Sequence, residues 1–344
     1  MTKQIEIDLN EDWNEEDKKA YLEYLKKNNK KSVTDNDEIE IDLDEEWNEE
    51  DKKAYLKYLK ETELKISTDK DWEEREKSMK ICSFVAIKGG VGKTTLAYNY
   101  GEWLADQGYK VLMLDFDLQC NLTQTYKIYN TTNTVKNIFV GGEVDIIDIK
   151  ENISIIPGYM QLDQVESQLE SNPNKNMLLY MWLSDNYEAK KLDQYDYVII
   201  DCRPDFSIAT KNATVVSHVL FSPIIPSQYG YNAKFDLSTR LEQFKKECID
   251  YATRESYVTA KLVFLANMIK HNTKSSKELL EVIQGDPEVV SLFSEKELFN
   301  KTTLEMLPIS EMEKDSQYNS HLKFFKETNL AFNNMKKCLD EDAK

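Results

Sequence analysis

The stretch Lys88–Thr95 reads KGGVGKTT, and it stands between an apolar run at residues 81–87 and a helix-like pattern at residues 96–107. A glycine-rich turn between a strand and a helix is the context that a phosphate-binding loop requires. Glycines allow backbone N–H groups to approach phosphate oxygens, and a helix N-terminus adds positive potential there. Within the loop, Lys93 can reach the β- and γ-phosphates, and the Thr94 hydroxyl can ligate Mg²⁺. The stretch therefore predicts a nucleotide site.

One position departs from the usual loop pattern, GxxxxGK[ST]. Ile87 occupies the first glycine position, and an additional lysine, Lys88, precedes two glycines. This pattern resembles the deviant Walker A loop of the ParA/MinD ATPases, and most closely that of the ParA plasmid and chromosome partition proteins. The resemblance implies that Lys88 reaches across a dimer interface to the nucleotide of the partner subunit.

A second buried-strand pattern runs into Asp115–Thr123, which reads DFDLQCNLT. Proteins of the ParA family typically read DxDPQGNxT there. The resemblance makes Asp117 the residue that positions the attacking water, and it places Asp115 near the metal side of the site. Leu118 stands where proline is usual and Cys120 where glycine is usual. We therefore expect a less tightly turned loop.

The third motif is an apolar strand pattern that ends in an acid, YVIID at Tyr197–Asp201. This is the pattern of a Walker B strand, whose carboxylate holds Mg²⁺, often through water. ParA proteins usually continue with a small residue and proline, but this chain has Arg203 before its proline. A catalytic and a structural role for this arginine both stay open.

The motifs and the resemblance together assign roles to individual residues. The predicted catalytic residues are Lys88, Lys93 and Asp117, and the predicted metal ligands are Thr94, Asp115 and Asp201. The predicted nucleotide contacts are Gly89, Gly90, Val91, Gly92, Lys93, Thr94, Thr95 and Asn267. Asn267 matches the region where ParA proteins commonly contact adenine, although an ordinary strand-end role is an equal alternative. The implied cofactors are ATP and Mg²⁺.

Strand-like and helix-like patterns alternate through the rest of the chain. The strand-like runs are residues 81–87, 110–114, 153–156, 197–200, 219–225, 262–266 and 304–307, and helical stretches include residues 234–251, 275–283 and 318–339. Fully apolar strands that alternate with helices predict an α/β fold with a doubly wound, mostly parallel sheet. Ligands of such sheets bind at the carboxyl ends of the strands, where all three motifs fall.

We predict two domains, an acidic extension at residues 1–78 and a ParA-like P-loop ATPase domain at residues 79–344. The extension contains two nearly identical repeats, residues 5–26 and 39–60, which are offset by 34 residues. Near-identity indicates that both copies meet equivalent environments.

Three interpretations of this extension stay open. In the first, the extension is a recently duplicated acidic tail that is partly disordered. In the second, it is a bivalent docking motif anchored by Trp13 and Trp47. In the third, it is a segment that masks a basic face. The extension carries 15 Lys/Arg and 26 Asp/Glu, a large share of the net charge of −18.

That negative charge does not exclude DNA binding, because the charge is uneven. Residues 211–281 carry 10 Lys/Arg and 7 Asp/Glu. A local basic face can bind DNA phosphates whatever the net charge of the chain. The candidate DNA contacts are Lys234, Arg240, Lys245, Lys246, Arg254 and Lys270.

The resemblance implies an ATP-dependent DNA partition ATPase. An ATP-bound sandwich homodimer would bind DNA non-specifically, and a centromere-binding, ParB-like partner would release it by stimulating hydrolysis. The alternative is a MinD-like membrane-associated positioning ATPase, which needs an amphipathic, usually basic, C-terminal anchor. The chain ends in CLDEDAK, and acidic residues oppose anionic lipid. We therefore expect a packed C-terminal helix and no stable membrane association.

The remaining composition indicates a cytoplasmic protein, and the resemblance implies that it is nucleoid-associated. No apolar run approaches the roughly 18 residues of a membrane span, and the N-terminus lacks an apolar signal core. The five cysteines are scattered and form no CxxC pattern, which indicates reduced thiols rather than disulfides or a zinc site. His218 adjoins a buried-strand pattern and is expected to be a core or boundary residue.

Overall fold

The computed structural model describes residues 79–129, 132–227, 232–250, 253–270 and 273–343. The predicted acidic extension and both of its repeats lie outside these described residues.

The described residues form one sheet of eight strands. The strands are β1 (Lys80–Phe84), β2 (Val111–Phe116), β3 (Ile147–Lys150), β4 (Ile153–Ile156), β5 (Tyr197–Cys202), β6 (Val219–Ile224), β7 (Lys261–Ile269) and β8 (Val289–Ser294). Their order is β3-β4-β2-β5-β1-β6-β7-β8. Every neighbouring pair is parallel except β3 and β4, which are antiparallel.

Helices connect the parallel strands. They are α1 (Lys93–Asp106), α2 (Asn121–Thr125), α3 (Lys136–Val140), α4 (Leu162–Leu169), α5 (Leu178–Asn186), α6 (Ile208–Val216), α7 (Asn232–Glu247), α8 (Lys274–Ile283), α9 (Glu297–Glu305), α10 (Ile309–Met312) and α11 (Leu322–Asp342). Short 3₁₀ turns occupy Leu192–Gln194 and Ser316–His321.

The sheet has a hydrophobic layer on each face. Helices α1, α9, α10 and α11 cover one face, and α3 to α7 cover the other. The central strands β2 and β5 are buried along their whole length. This burial explains their continuous apolar sequences, because both faces of a doubly wound parallel sheet are covered. The predicted fold class is confirmed.

One predicted strand, residues 304–307, is wrong. Leu304 lies in α9 and is 81% exposed, and Met306 ends the helix in the left-handed conformation, with φ 53°. A short apolar run does not by itself distinguish a strand from the end of a helix. The strand in this part of the sheet is β8 instead. The prediction also missed β3, in which half-buried and exposed side chains alternate.

The C-terminal helix α11 is packed on the domain, as predicted. Phe325, Phe332 and Met335 are buried against the sheet. Near its end, Asp340 accepts hydrogen bonds from the Lys80 ammonium at 2.9 Å and from the Tyr197 hydroxyl at 2.8 Å. The apolar side of α11 is thus committed to the core, which does not favour the membrane-anchor alternative. Among the described helices, none has the length and apolarity needed to cross a bilayer.

His218 joins the starts of two central strands. Its ring Nδ1 accepts a hydrogen bond from the Ile81 backbone N–H at 3.0 Å, and the His218 backbone N–H donates to the Ile81 carbonyl at 2.8 Å. Partial burial, with the Lys80 charge nearby, lowers the pKa of the imidazole, although the Ile81 hydrogen bond opposes the shift. The neutral ring is therefore the form that the fold prefers.

A lowered pKa in the folded state makes stability fall with acidity. The contribution of His218 is present above the ordinary histidine pKa of about 6.5 and is lost as the pH falls through the folded pKa. The loss should stay below about 1 kcal/mol because solvent screens a half-buried ring. His218→Asn offers an amide oxygen to Ile81 at every pH. Urea unfolding at pH 7 and pH 5 should show a smaller acid loss for this variant, and an equal loss would contradict the assignment.

Candidate nucleotide and magnesium site

The three sequence motifs meet at one edge of the sheet. Asp201 of β5 is the register partner of Phe84 at the end of β1 and of Asp115 near the end of β2. The phosphate loop follows β1 directly, and the loop that carries Asp117 follows β2. Because parallel strands end at the same edge, the loop, both acids and the start of α1 are neighbours.

The phosphate loop has the backbone that its glycines permit. Gly90 and Gly92 have φ of 71° and 91°, a left-handed region that side chains with a Cβ seldom adopt. Lys93 begins α1, and its side chain is 6% exposed. A substitution at Gly92 would also collide with a neighbour, because an added Cβ would lie 2.4 Å from the Asn267 side-chain nitrogen.

Asn267 supports this loop from the neighbouring strand end. Its side-chain N–H donates to the Val91 carbonyl at 2.9 Å, and the residue is buried. The next residue, Met268, has φ of 57° and lies where the pairing register between β7 and β8 shifts. The described contact of Asn267 is therefore with the loop backbone, and adenine contact stays a prediction.

Asp201 is the most unusual group in the site. Its side chain is fully buried, and neither carboxylate oxygen has a hydrogen bond of normal geometry to a described residue. Burial raises the pKa of Asp201 to about 8, and the nearby Asp115 adds to the rise, while the Thr94 hydroxyl and Lys93 partly oppose it. A buried carboxylate without a partner is costly, so this group is suited to a cation.

Asp115 has a different role in the described contacts. Its Oδ2 accepts hydrogen bonds from the Thr123 N–H at 2.9 Å and hydroxyl at 2.7 Å, and its Oδ1 accepts from the Asp117 N–H at 3.1 Å. Burial raises the pKa of Asp115 to about 6. Asp115 thus fastens the loop that follows β2, and metal ligation by it stays a prediction.

Thr123 is a functional residue to which the sequence analysis gave no role. Its hydroxyl donates to Asp115 and accepts from the Gly158 N–H at 2.8 Å. Gly158 leaves little room, since an added Cβ would lie 3.0 Å from the Asp115 carboxyl carbon. The sequence feature that could have indicated this role is the threonine at the end of the second motif, because the ParA pattern has a threonine at the same position.

The loop around Asp117 is tightly turned, contrary to expectation. The Cys120 N–H donates to the Asp117 carbonyl at 2.9 Å, and Cys120 takes the left-handed conformation, with φ 52°. Cys120 therefore adopts the backbone for which the family uses glycine, at a cost of roughly 1–2 kcal/mol. Asp117 is buried, and its Oδ1 accepts from the Gln119 N–H at 2.9 Å.

Arg203 is held in a structural ion-pair network. Its guanidinium donates to the Glu166 carboxylate at 2.8 Å and also pairs with Asp205. Glu166 is buried, and its other oxygen accepts from the Ala209 N–H at 2.7 Å. These contacts favour the structural interpretation, because they fix the arginine between α4 and α6.

The residues at this edge fit Mg²⁺ with a bound nucleotide. Among the described residues, no three His, Cys, Asp or Glu side chains lie close enough to hold a metal ion. Mg²⁺ commonly uses one or two protein ligands together with phosphate oxygens and water. The unpaired Asp201 carboxylate beside Thr94 matches that requirement.

The candidate DNA contacts differ in their surroundings. The prediction of Lys234 as a DNA contact is corrected. Its ammonium is buried, lies over the Phe264 ring and pairs with Asp286 and Glu288. Lys245 and Lys270 each pair with a glutamate, at 3.2 and 3.1 Å. The other three, Arg240, Lys246 and Arg254, are exposed and form no ion pair with another described residue. They form the reduced set of candidates.

Comparison with known proteins identifies the family. The profile of the AAA domain family matches residues 79–253, more than half of the chain. Soj of Bacillus subtilis, a sporulation initiation inhibitor protein, is 38% identical over 169 residues, which are 47% of this chain and 63% of Soj. An uncharacterised protein of Methanocaldococcus jannaschii is 30% identical over 212 residues, 58% of this chain and 76% of that protein. The chain belongs to the ParA/MinD-type ATPases of the AAA domain family.

Solved structures share the fold of this ParA-type ATPase. A plasmid partition protein of Borrelia burgdorferi superposes with a TM-score of 0.58 at 22% identity, covering 76% of this chain and 100% of that one. The ATP complex of Cyanothece McdA gives a TM-score of 0.61 at 19% identity, covering 76% and 96%. The chain spans less than two thirds of Soj, and 56% of the chromosome partitioning protein ParA of Caulobacter vibrioides.

The second prediction concerns Asp201. Because its pKa is raised from 3.8 to about 8, its contribution to stability is present below the lower value and is lost as the pH rises towards the upper one. Asp201→Asn removes the buried charge, so without metal at pH 8 it should be more stable than wild type by on the order of 1–3 kcal/mol.

The measurement is urea unfolding with and without Mg²⁺ and ATP. Added Mg²⁺ should stabilise nucleotide-bound wild type and have little further effect on Asp201→Asn. The surface variant Asp163→Asn serves as a control for the loss of one negative charge. A metal-free wild type that exceeds Asp201→Asn in stability at pH 8 would show that the carboxylate has a partner.

Proposed function

We propose that this chain is an ATP-dependent DNA partition ATPase that cycles between a nucleotide-driven dimer and separate subunits. The observation that supports it best is the unpaired, buried Asp201 carboxylate next to a phosphate loop that has a second lysine. The carboxylate can ligate a cation, the loop can bind phosphates, and Lys88 supplies a second positive charge at the start of the loop.

The proposed chemistry requires little covalent participation by the protein. Phosphoryl transfer depends on positive charge placed on the phosphates and on an oriented water. Lys93 and the loop N–H groups would bind the phosphates, and Thr94 and Asp201 would hold Mg²⁺. The metal would neutralise charge that develops on the phosphate oxygens. Asp117 would orient the attacking water from its tightly turned loop.

Lys88 would connect hydrolysis to assembly. It precedes the glycines of the loop and is half-buried in the single subunit. A lysine that contacts the nucleotide of the partner subunit makes dimer stability depend on the γ-phosphate, because the attraction falls when that charge leaves. Hydrolysis would then separate the subunits.

DNA would bind to the nucleotide-bound dimer through exposed cations. Contacts to phosphates supply affinity without reading sequence, and a dimer doubles the number of contacts. The exposed Arg240, Lys246 and Arg254 are the candidates. A centromere-binding, ParB-like partner would stimulate hydrolysis and release the DNA, and the nucleotide-bound protein would associate with the nucleoid.

The third prediction separates binding, hydrolysis and assembly. Lys93→Ala should abolish ATP binding. Asp117→Ala should keep ATP binding but lower kcat by about 100-fold or more, since it removes the group that orients the water. Lys88→Ala should bind ATP and yet fail to form the tight dimer. Calorimetry, phosphate release and sedimentation measure these three properties.

Exposed Asp163→Ala is the control for this series, and it should change none of the three. Wild-type turnover by Asp117→Ala would contradict the assignment of the water-positioning role. Normal ATP-driven dimerisation of Lys88→Ala would remove the proposed contact across the interface.

The fourth prediction concerns the basic surface. The double variant Arg240→Glu with Lys246→Glu should weaken binding to duplex DNA of any sequence in the presence of ATP. If both side chains contact phosphates in each subunit of the dimer, four contacts are lost, and the slope of log affinity against log salt should decrease in magnitude by about 3.6, or 0.9 for each contact. Fluorescence anisotropy at several salt concentrations gives this slope.

The matched control changes the same charges elsewhere. Lys274 and Lys323 are 90% and 78% exposed at the side chain, and each pairs with a glutamate on its own helix. Lys274→Glu with Lys323→Glu should leave the slope unchanged. An equal loss in both double variants would indicate a general charge effect rather than a DNA-binding surface.

A further inference from the structure

Tyr126 follows α2 and contacts α1 in two places. Its ring packs edge-on against Tyr98, with the ring centroids 5.4 Å apart, and its hydroxyl donates to Glu102 Oε1 at 3.0 Å. Tyr98 and Glu102 lie one turn apart on α1, so they present one continuous surface. All three side chains are buried. Tyr126 is therefore fastened to α1 by both packing and a hydrogen bond.

The carboxylate that accepts this hydrogen bond is itself fixed. Glu102 Oε2 lies 2.5 Å from the Lys150 ammonium, which also pairs with Glu311 at 2.7 Å. The Glu102 side chain is 2% exposed. Burial raises the pKa of Tyr126 well above its usual range, so the hydroxyl keeps its proton and stays a donor. A hydrogen bond to a buried carboxylate is stronger than one between neutral groups.

Both ends of this contact lead to the nucleotide site. Helix α1 begins with the phosphate-loop Lys93. Helix α2 contains Thr123, whose N–H and hydroxyl both bond Asp115. The segment between Asp115 and Tyr126 is thus attached at its start to β2 and at its end to α1. Asp117 lies within that segment. Tyr126 can therefore affect the position of Asp117 without contacting the nucleotide itself.

We propose that Tyr126 is a positioning residue, which together with Glu102 sets the place of the Asp117 loop relative to the phosphate-loop helix and so governs the rate of hydrolysis rather than nucleotide affinity. This inference rests on the proposed ATPase function. Nucleotide binding depends mainly on the loop and Lys93, whereas the hydrogen bond and the ring contact of Tyr126 are with Glu102 and Tyr98. Water placement depends on Asp117, and an error of about 1 Å in such a group can cost about 100-fold in rate.

The test is Tyr126→Phe in the full-length chain. This change removes one hydroxyl and keeps the ring against Tyr98. The matched control is Tyr197→Phe, because the Tyr197 hydroxyl also donates to a carboxylate, Asp340 Oδ1, at 2.8 Å, and the residue is 1% exposed. Tyr197 begins β5, at the opposite end of that strand from Asp201. Both variants lose the same kind of bond, at different distances from the site.

Phosphate release with Mg²⁺, ATP and duplex DNA gives kcat and KM, and a fluorescent ATP analogue gives nucleotide affinity. Tyr126→Phe should lower kcat by about tenfold and change nucleotide affinity by less than about threefold, a smaller effect than full misplacement. Tyr197→Phe should lose as much thermal stability as Tyr126→Phe does, but it should keep the wild-type kcat. Equal kcat values in the two variants, or a loss of affinity as large as the loss of rate, would overturn the proposal.

Hydrogen exchange supplies a readout that does not need turnover. Tyr126→Phe should speed amide exchange in residues 115–126 and leave residues 93–100 near wild type. If wild type hydrolyses no ATP, the proposed function fails, while exchange still reports on the contact. Unchanged exchange in residues 115–126 would overturn the inference even if the enzyme is active.

The partner in the hydrogen bond is tested by Glu102→Gln. If the two side chains act together, the double variant with Tyr126→Phe should lower kcat no further than the more damaging single variant. Multiplied losses in the double variant would show two independent effects and would contradict the proposed pair.

Discussion

A buried carboxylate without a partner is the constraint on which the rest of the site depends. Asp201 lies at the end of a fully buried central strand, where water cannot compensate its charge. Three conditions reduce the cost of that charge, which are protonation, a nearby lysine and a bound cation. In this fold the nearby lysine is Lys93, and the carboxylate oxygens of Asp201 can still bind a cation. A site that is stable without ligand would not be built this way, so the cost of Asp201 is best understood as part of nucleotide and metal binding.

Two buried polar side chains of the same site, Asp115 and Asn267, form hydrogen bonds within the protein. Asp115 is saturated by Thr123 and by the Asp117 N–H, and Asn267 supports the loop through the Val91 carbonyl. These bonds fix the loops on either side of Asp201 before any ligand arrives. Preorganised groups avoid the cost of reorganisation during the reaction. Asp115 and Asn267, whose hydrogen bonds are made within the protein, are therefore supporting residues, whereas Asp201, which has no such bond to a described residue, is the residue that awaits a ligand.

The sequence predicts the parts of this site that are local. The phosphate loop, the Asp117 loop and the Walker B strand are each contiguous, and parallel strand ends bring them together without further information. The sequence does not predict contacts between distant segments. Lys234 belongs to a basic stretch, yet its ammonium lies over the Phe264 ring of β7 and pairs with Asp286 in the turn before β8, contacts that only the tertiary structure determines. Cys120 shows the same limit, since its turn is enforced by surrounding hydrogen bonds against its own preference.

Proton release on nucleotide binding tests the central claim most directly. With a pKa of about 8, Asp201 carries a proton in the metal-free protein at pH 7 and must lose it to ligate Mg²⁺. Titration calorimetry of preformed Mg·ATP in two buffers with different ionisation enthalpies measures the number of protons released. The account predicts release approaching about one proton per subunit at pH 7, because metal ligands bind in their deprotonated form. Binding with no proton release, or with proton uptake, would contradict the claim that Asp201 is a neutral, unpaired acid waiting for a cation.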